Sequence, residues 1–567
     1  MKIIHSFKNR KAEKMVEQDT SFLLTNKKGG YCYLSGKPES RYQGVFFNKD
    51  FRMYKVIDNI KTGGEVEELA NNFSEVRRKK GNLTETFFMP YGFNSLVYEL
   101  DKESDAEIVL DIRESYSSPE FGRIYDIYEE DGRIIVKYRQ EGEFECFLII
   151  SGHKSYEQIC KWIKQEHELD RKRNSPPFEK HVFSALKVKC SKLVFSFSFN
   201  KEEAVKENKQ VYEDTAKLKI VQAKQIEHLF NRNESQLKKI KDKEAQIAYL
   251  CALNSLNNLF VETSGHEGVF AGLPWFFQFW ARDEAVCIKA LSKIASINKI
   301  ILRAISNINN NLSRYQKGEM ISADFPGWII KRIHELDKKM LNEEEVRRVF
   351  EKLDDGLSFN GAKQTWMDTI DRIGARIEIN ALKLAIIESS KKQELEDRFR
   401  FKVMEAFWNG SYLMDGSSDS AIRPNIFIAA YIYPELLKRE EWVDCFKKVL
   451  PRLTVGWGGI ITIDKESPLF HSEHTGEDSK SYHNGDSWFW INNLSAISLY
   501  RVDKKNFKTQ IKKIIKSSVT EILWKGAIGC HSELSSASEL KSEGCISQAW
   551  SAAMFIELID ELDDGFL

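Results

Sequence analysis

The chain has 567 residues and a mass of 65.8 kDa, several times a usual domain length, so at least two domains are expected. Hydrophobic residues make up 42% and charged residues 30%, which excludes a largely disordered chain. Lys+Arg and Asp+Glu are both 84, and this neutrality removes any general electrostatic pull toward nucleic acid or an anionic membrane.

The stretch from Met1 to Lys8 lacks an apolar core, so no signal peptide is expected, and apolar runs such as Ile426 to Tyr433 are too short to span a bilayer. The first 200 residues alternate with period two. Ile108, Leu110 and Ile112 share a face, Arg133 to Tyr138 and Phe144 to Ile150 add strands, and Phe195-Ser196-Phe197-Ser198-Phe199 is the clearest case. Short strands between Gly and Asp turns predict an N-terminal β-sandwich over 1–200, interrupted by one helix around Tyr156 to Arg171. Residues 201–245 are dense in Lys and Glu without Gly or Pro, the pattern of a solvated, charged helical linker. Beyond it the period becomes 3.6. Cys287, Ala290, Leu291 and Ile294 share a helical face, and Trp550, Met554, Leu558 and Leu562 step by four, so 246–567 is expected to be all-helical. Nine cysteines lie singly with no CxxC pair, which reads as reduced thiols in a cytoplasmic protein without a zinc site.

Eleven of the twelve tryptophans follow residue 200, many beside charged or amide residues. Plain apolar filling would favour Leu and Ile; indole faces with polar neighbours suit the C–H faces and hydroxyls of a sugar. Six polar-aromatic segments punctuate the helical half: Trp280-Ala281-Arg282-Asp283, Ser322-Ala323-Asp324-Phe325, Thr365-Trp366-Met367-Asp368, Asp419 to Asn425, Tyr482-His483-Asn484-Gly485-Asp486, and His531-Ser532-Glu533-Leu534. Their spacings of 41, 44, 55, 60 and 50 residues each accommodate two helices with loops. Six hairpins presenting loops at one end describe an (α/α)6 toroid of twelve helices.

Several segments carry a resemblance. Gly272-Leu273-Pro274-Trp275-Phe276 leads to Trp280-Ala281-Arg282-Asp283. Gln364 to Asp368, Arg376 to Leu382, Ile422 to Asn425, Ser481 to Trp488 and Gly544 to Ser551 follow in order. Together they resemble the C-terminal glucosidase domain of glycogen debranching enzymes, the amylo-α-1,6-glucosidase family, and more distantly glucoamylases. Leu24-Thr25-Asn26 to Tyr31, with Arg41-Tyr42-Gln43-Gly44, is similar to the start of the β-sandwich of archaeal and bacterial single-chain forms.

Glycoside hydrolysis needs one carboxylic acid to protonate the leaving oxygen and one carboxylate to activate water or attack. Asp368 stands behind Trp366 and Met367, an apolar setting that would raise its pKa; Glu533 stands among small polar residues that suit an ionised base. The resemblance implies the same general acid and general base, with Glu539 and Glu543 as alternatives for the base, and an inverting exo-acting release of glucose from α-1,6 branch points. It also implies that Trp280, Arg282 and Asp283 clamp the terminal glucose, with Trp366, Arg376, Glu378, Arg423, His483, Gln548 and Trp550 around the pocket. The expected partner is a branched α-glucan, without cofactor or metal; His471 and His474 lack a third ligand and read as exposed loop residues. A glucoamylase- or trehalase-like specificity and a non-catalytic glucan-binding protein are the alternatives.

Overall fold

The computed structural model describes residues 1–17, 20–117, 119–296, 298–300, 302–303, 306, 322–336, 353–563 and 565–566. These form two compact units, Met1–Gln278 with Ile522–Cys530, and Phe279–Glu521 with His531–Leu567.

Fourteen strands of the first unit join in one branched sheet. The branch point is the strand Ser95–Glu114. One edge pairs with Glu179–Ser198; the other pairs first with Leu83–Phe88 and then with Arg52–Lys61. Phe22 on one branch packs 5.0 Å from Phe87 on the other, so the branches face each other as sandwich layers.

Two expectations for this unit need correction. Tyr156 to Arg171 is not a helix. The strand Phe144–Glu166 continues through it against Glu179–Ser198, with a single turn, Glu168–Lys172, behind it. Trp162 packs 5.0 Å from Phe183 on that partner strand, a cross-strand contact invisible to local periodicity.

The charged segment after residue 200 is not a solvated linker. Helix α1 (Lys201–Arg232) buries Ala204, Asn208, Val211, Thr215, Gln222, Ile226 and Leu229, a stripe at helical spacing, while most of its Lys and Glu residues face away; Glu207 instead accepts from Ser95 O–H at 2.7 Å. Val211 packs with Phe88, Val97 and Val194. The Asn208 amide donates to the carbonyls of Ile149 and Val194. Helix α2 (Lys243–Leu259) packs on the strands Arg10–Met15 and Phe22–Thr25, so the division falls after Gln278 and not at the expected 245.

In the second unit six helices close a ring: α3 (Ala281–Leu291), α4 (Phe325–Leu336), α5 (Ile377–Ser389), α7 (Asn425–Ile432), α9 (Phe489–Asp503) and α10 (Ala549–Glu561). Each packs on the next and the last packs on the first. Helix α6 (Gln393–Phe407) lies against α5, and α8 (Arg439–Leu453) against α9. The sequence explains this layering. Every residue from Ile377 to Ile387 in α5 is buried, as an inner helix requires, whereas α6 buries only Leu395, Phe399, Val403 and Phe407. The outer helices expected between residues 283 and 324 and between 324 and 368 lie outside the described residues. This half is not purely helical: two-residue strand pairs such as Ser487–Trp488 with Leu534–Ser535 tie the loops together. No helix among the described residues is long and apolar enough to cross a membrane.

Candidate active site

The polar segments lie at or near the N-termini of the inner helices. Trp280, Arg376, Pro424, Trp488 and Gln548 are the N-cap residues of α3, α5, α7, α9 and α10, and Asp324 immediately precedes α4. One end of the ring therefore gathers these loops, with the positive ends of the helix dipoles among them.

Asp368 is 46% exposed and stands between two bases. The Arg282 guanidinium approaches one carboxylate oxygen at 3.5 Å, and His483 Nε2 approaches the other at 3.6 Å. Burial pushes its carboxyl up, but the nearby His483 ring and the Arg282 charge outweigh that, so its pKa lies below the usual value. The rise expected from the apolar neighbours is thus not found, because the sequence neighbours of Asp368 are not its electrostatic neighbours. His483 is fully buried, and burial keeps its pKa low. Its ring stacks on Trp488 at 5.1 Å and meets Trp366 edge-on at 5.3 Å. Arg423 fixes this loop by donating to the carbonyls of Thr462 and His483, at 3.0 and 2.7 Å, and to Asn484 Oδ1.

The carboxyl with the strongly raised pKa is Asp283, pushed up to about 7 by burial, eased by Arg282 and raised further by Asp368 and Glu533. Its neighbour Arg282 pairs at 2.8 Å with buried Asp324, not with Asp283. Ser322 donates to the same Asp324 oxygen at 2.6 Å.

Glu533 is buried. One carboxylate oxygen accepts from the Tyr482 hydroxyl, and the other accepts at 2.8 Å from the backbone N–H of Cys545. Its carbonyl accepts from Phe489 N–H at 3.1 Å, which locks the loop to the start of α9. Gly544 has φ +66°, and a Cβ there would overlap the Glu533 carboxylate. Glu539, by contrast, is exposed and pairs with Lys541.

Other expected pocket residues divide by contact. Trp280 is 50% exposed, whereas Trp366 is buried and donates to Asn425 Oδ1 at 2.8 Å. Trp550 stacks on Trp490 at 4.8 Å, and the Gln548 side-chain oxygen is buried without a partner among the described residues. Arg376 and Glu378 belong to a buried charge lattice. Its centre is Arg372, which binds Glu378 at 2.5 and 3.1 Å and Asp415 at 2.8 and 2.9 Å. Arg376 reaches Asp415 and Asp419, and Arg372 also donates to Thr365, tying this lattice to the loop of Asp368.

Sequence reasoning missed Arg372, Asp415 and Tyr482. An Arg four residues after Asp368 was the available signal for the first. It also placed His474 in an exposed loop. His474 is in fact 8% exposed and bonds Asp486 at 2.7 Å, and this carboxylate raises its pKa against the effect of burial. No group of His, Cys, Asp and Glu among the described residues is arranged to hold a metal.

Residues 285–557 match the family model described as Amylo-alpha-1,6-glucosidase. A bacterial glucoamylase complexed with acarbose shares the fold at TM-score 0.61 and 13% identity, over 100% of this chain and 98% of that one. A second solved structure, described as a glycosidase, aligns at TM-score 0.41 and 12% identity, over 58% of this chain and 100% of that one. No curated protein sequence matches the chain. The chain is therefore a glycoside hydrolase that carries an Amylo-alpha-1,6-glucosidase domain over residues 285–557, and its toroid is glucoamylase-like in fold.

Proposed function

We propose that the chain is an inverting, exo-acting glycoside hydrolase that releases glucose from α-1,6 branch points of a glycogen-like glucan. Asp368 serves as general acid and Glu533 as general base. The observation that carries this reading is the seating of Glu533. A buried carboxylate that accepts from Tyr482 O–H and Cys545 N–H is stabilised in its ionised form and held in one orientation, as activation of water requires.

Asp368 must carry a proton to serve as acid. Its exposed half leaves it water to lose, so a sugar seated over it desolvates the carboxyl and raises its proton affinity. Sugar hydroxyls that engage Arg282 would loosen the 3.5 Å contact that holds the carboxyl low. Protonation of the acid is then coupled to occupation of the pocket. Arg282, Asp283 and Trp280 hold the terminal glucose, and His483, steadied by Arg423, orients Asp368. Water activated by Glu533 attacks the anomeric carbon as the glycosidic oxygen takes the proton of Asp368, so β-glucose is the first product.

The test is glucose release from panose or a phosphorylase limit dextrin, compared with maltotriose and trehalose, with the anomer read by NMR. Asp368→Asn should lose at least about a hundredfold in kcat on the α-1,6 substrates. Preferential release from maltotriose or trehalose would overturn the linkage, and α-glucose as first product would overturn the inversion.

A further inference from the structure

Helix α6 ends at Trp408, whose N–H donates to the Met404 carbonyl at 2.9 Å. The turn that follows is stiff. Asn409 Oδ1 accepts from Ser411 N–H and Tyr412 N–H, both at 3.0 Å, and Tyr412 O–H reaches the Ser420 carbonyl at 2.9 Å. Gly410 adopts φ +88° beside open space, so no side chain covers the indole from that position. Between this turn and α8 lies a cleft of about 380 Å³, lined by Trp408, Ser411, Glu441, Asp444, Lys447 and Lys448. Clefts that hold small ligands begin at roughly 300 Å³.

The indole of Trp408 is partly exposed, unlike those of Trp490, Trp524 and Trp550, whose N–H groups are buried without a hydrogen-bond partner among the described residues. Trp366, Trp442, Trp457 and Trp488 donate their N–H groups to Asn425, Pro434, Ser536 and Tyr482. Trp408, half-buried, has neither such a bond nor an aromatic neighbour among the described residues. Asp444, Lys447 and Lys448 likewise form no ion pair among the described residues. Two carboxylates balance two ammonium groups here, so the cleft attracts neither an anion nor a cation. An apolar ring face beside the free charges of Asp444, Lys447 and Lys448, with Glu441 held by the Lys438 N–H at 2.8 Å, matches a neutral polyhydroxylated ligand.

We infer that the Trp408 cleft is a second carbohydrate-holding site, which takes a short segment of neutral α-glucan with one sugar face against the indole. It shares no residue with the catalytic loops, so it holds substrate without reacting on it. The choice of glucan rests on the function proposed above. The rigid turn keeps the indole presented before binding, which limits the ordering cost.

Electrophoresis through native gels containing glycogen tests the site. Trp408→Ala should weaken glycogen retardation about five- to tenfold in apparent Kd, as loss of one stacked sugar predicts. Glucose release from panose should stay within about twofold of wild type, because the catalytic loops are untouched. Retardation equal to wild type, or a wild type that glycogen does not retard, overturns the inference. If Trp408→Ala fails to fold, the exposed pair Asp444→Ala with Lys448→Ala decides by the same readout, and unchanged retardation overturns it. A wild type that releases no glucose from panose but loses retardation on Trp408 substitution supports the site while sinking the proposed activity.

Discussion

Replacing Asp283 by Asn should make the protein more stable and less able to bind substrate. Burial, Asp368 and Glu533 together lift this carboxyl from its ordinary 3.8 to about 7, against the pull of Arg282. The folded state therefore holds a proton more tightly than the unfolded chain, so stability is greatest below pH 4 and falls as pH rises to about 7. At 1.36 kcal/mol per tenfold in proton affinity, this loss reaches about 4 kcal/mol above pH 7 as a ceiling. Asn has the same shape and no proton to lose, so the variant escapes the loss. In a unit of this size about 1 kcal/mol moves Tm by about 2 °C, so a gain of roughly 5–8 °C is expected at pH 8. At pH 4.5 the gain should shrink below about 2 °C, since little of the titration has then occurred. Scanning calorimetry of both proteins at the two pH values reads this directly. A Tm that falls on substitution, or a gain independent of pH, refutes the electrostatic account. KM for panose should rise in the same variant if the carboxyl holds a sugar hydroxyl.

Gly544→Ala forces a Cβ into overlap with the Glu533 carboxylate at a backbone angle that disfavours Ala, and should lower kcat about a hundredfold or more. Wild-type turnover in the variant would remove Glu533 as base. Tyr482→Phe deletes one donor to ionised Glu533 and leaves Cys545 N–H, so the acid limb of the kcat/KM profile should move up by about one pH unit with kcat about tenfold lower. An unmoved limb refutes the assignment. In the first unit, burial pushes the Lys180 amine down to about 7. The unfolded chain binds the extra proton between about 7 and 10.5, so wild-type stability climbs with pH across that window. Lys180→Met should stabilise by about 1–4 kcal/mol at pH 7 and by progressively less toward pH 10, as denaturant unfolding would report. A pH-independent effect would count against it.

The parts of this molecule legible in sequence were those with local causes. Six polar segments at helix-hairpin spacing marked the loops that lead into the inner helices. The Phe-Ser-Phe-Ser-Phe strand was legible too, but what covers its Ser196 was not. Ser196 is buried under α1, where Asn208 lies 3.3 Å away, and a polar residue satisfied by a distant amide looks the same in sequence as one facing water. The same blindness hid Tyr482, whose partner Glu533 is 51 residues away. It also inverted the expected shift at Asp368, whose controlling groups are Arg282 and His483 and not Trp366 and Met367.

Ring closure also sets when the protein can work. Arg282 sits in the first turn of α3 and Glu533 in the loop before α10, and these two helices form the seam of the ring. They are the most widely separated members of the ring in sequence, so the seam is entropically the most expensive contact and no local nucleus supplies it. During synthesis, every other helix can emerge and pair with its predecessor while the pocket still lacks a wall. The loop of Glu533, between α9 and α10 in sequence, is the last of the ring's loops to be seated. A nascent or clipped chain should therefore keep much of its secondary structure while remaining inert, a built-in bar to hydrolysis by unfinished enzyme.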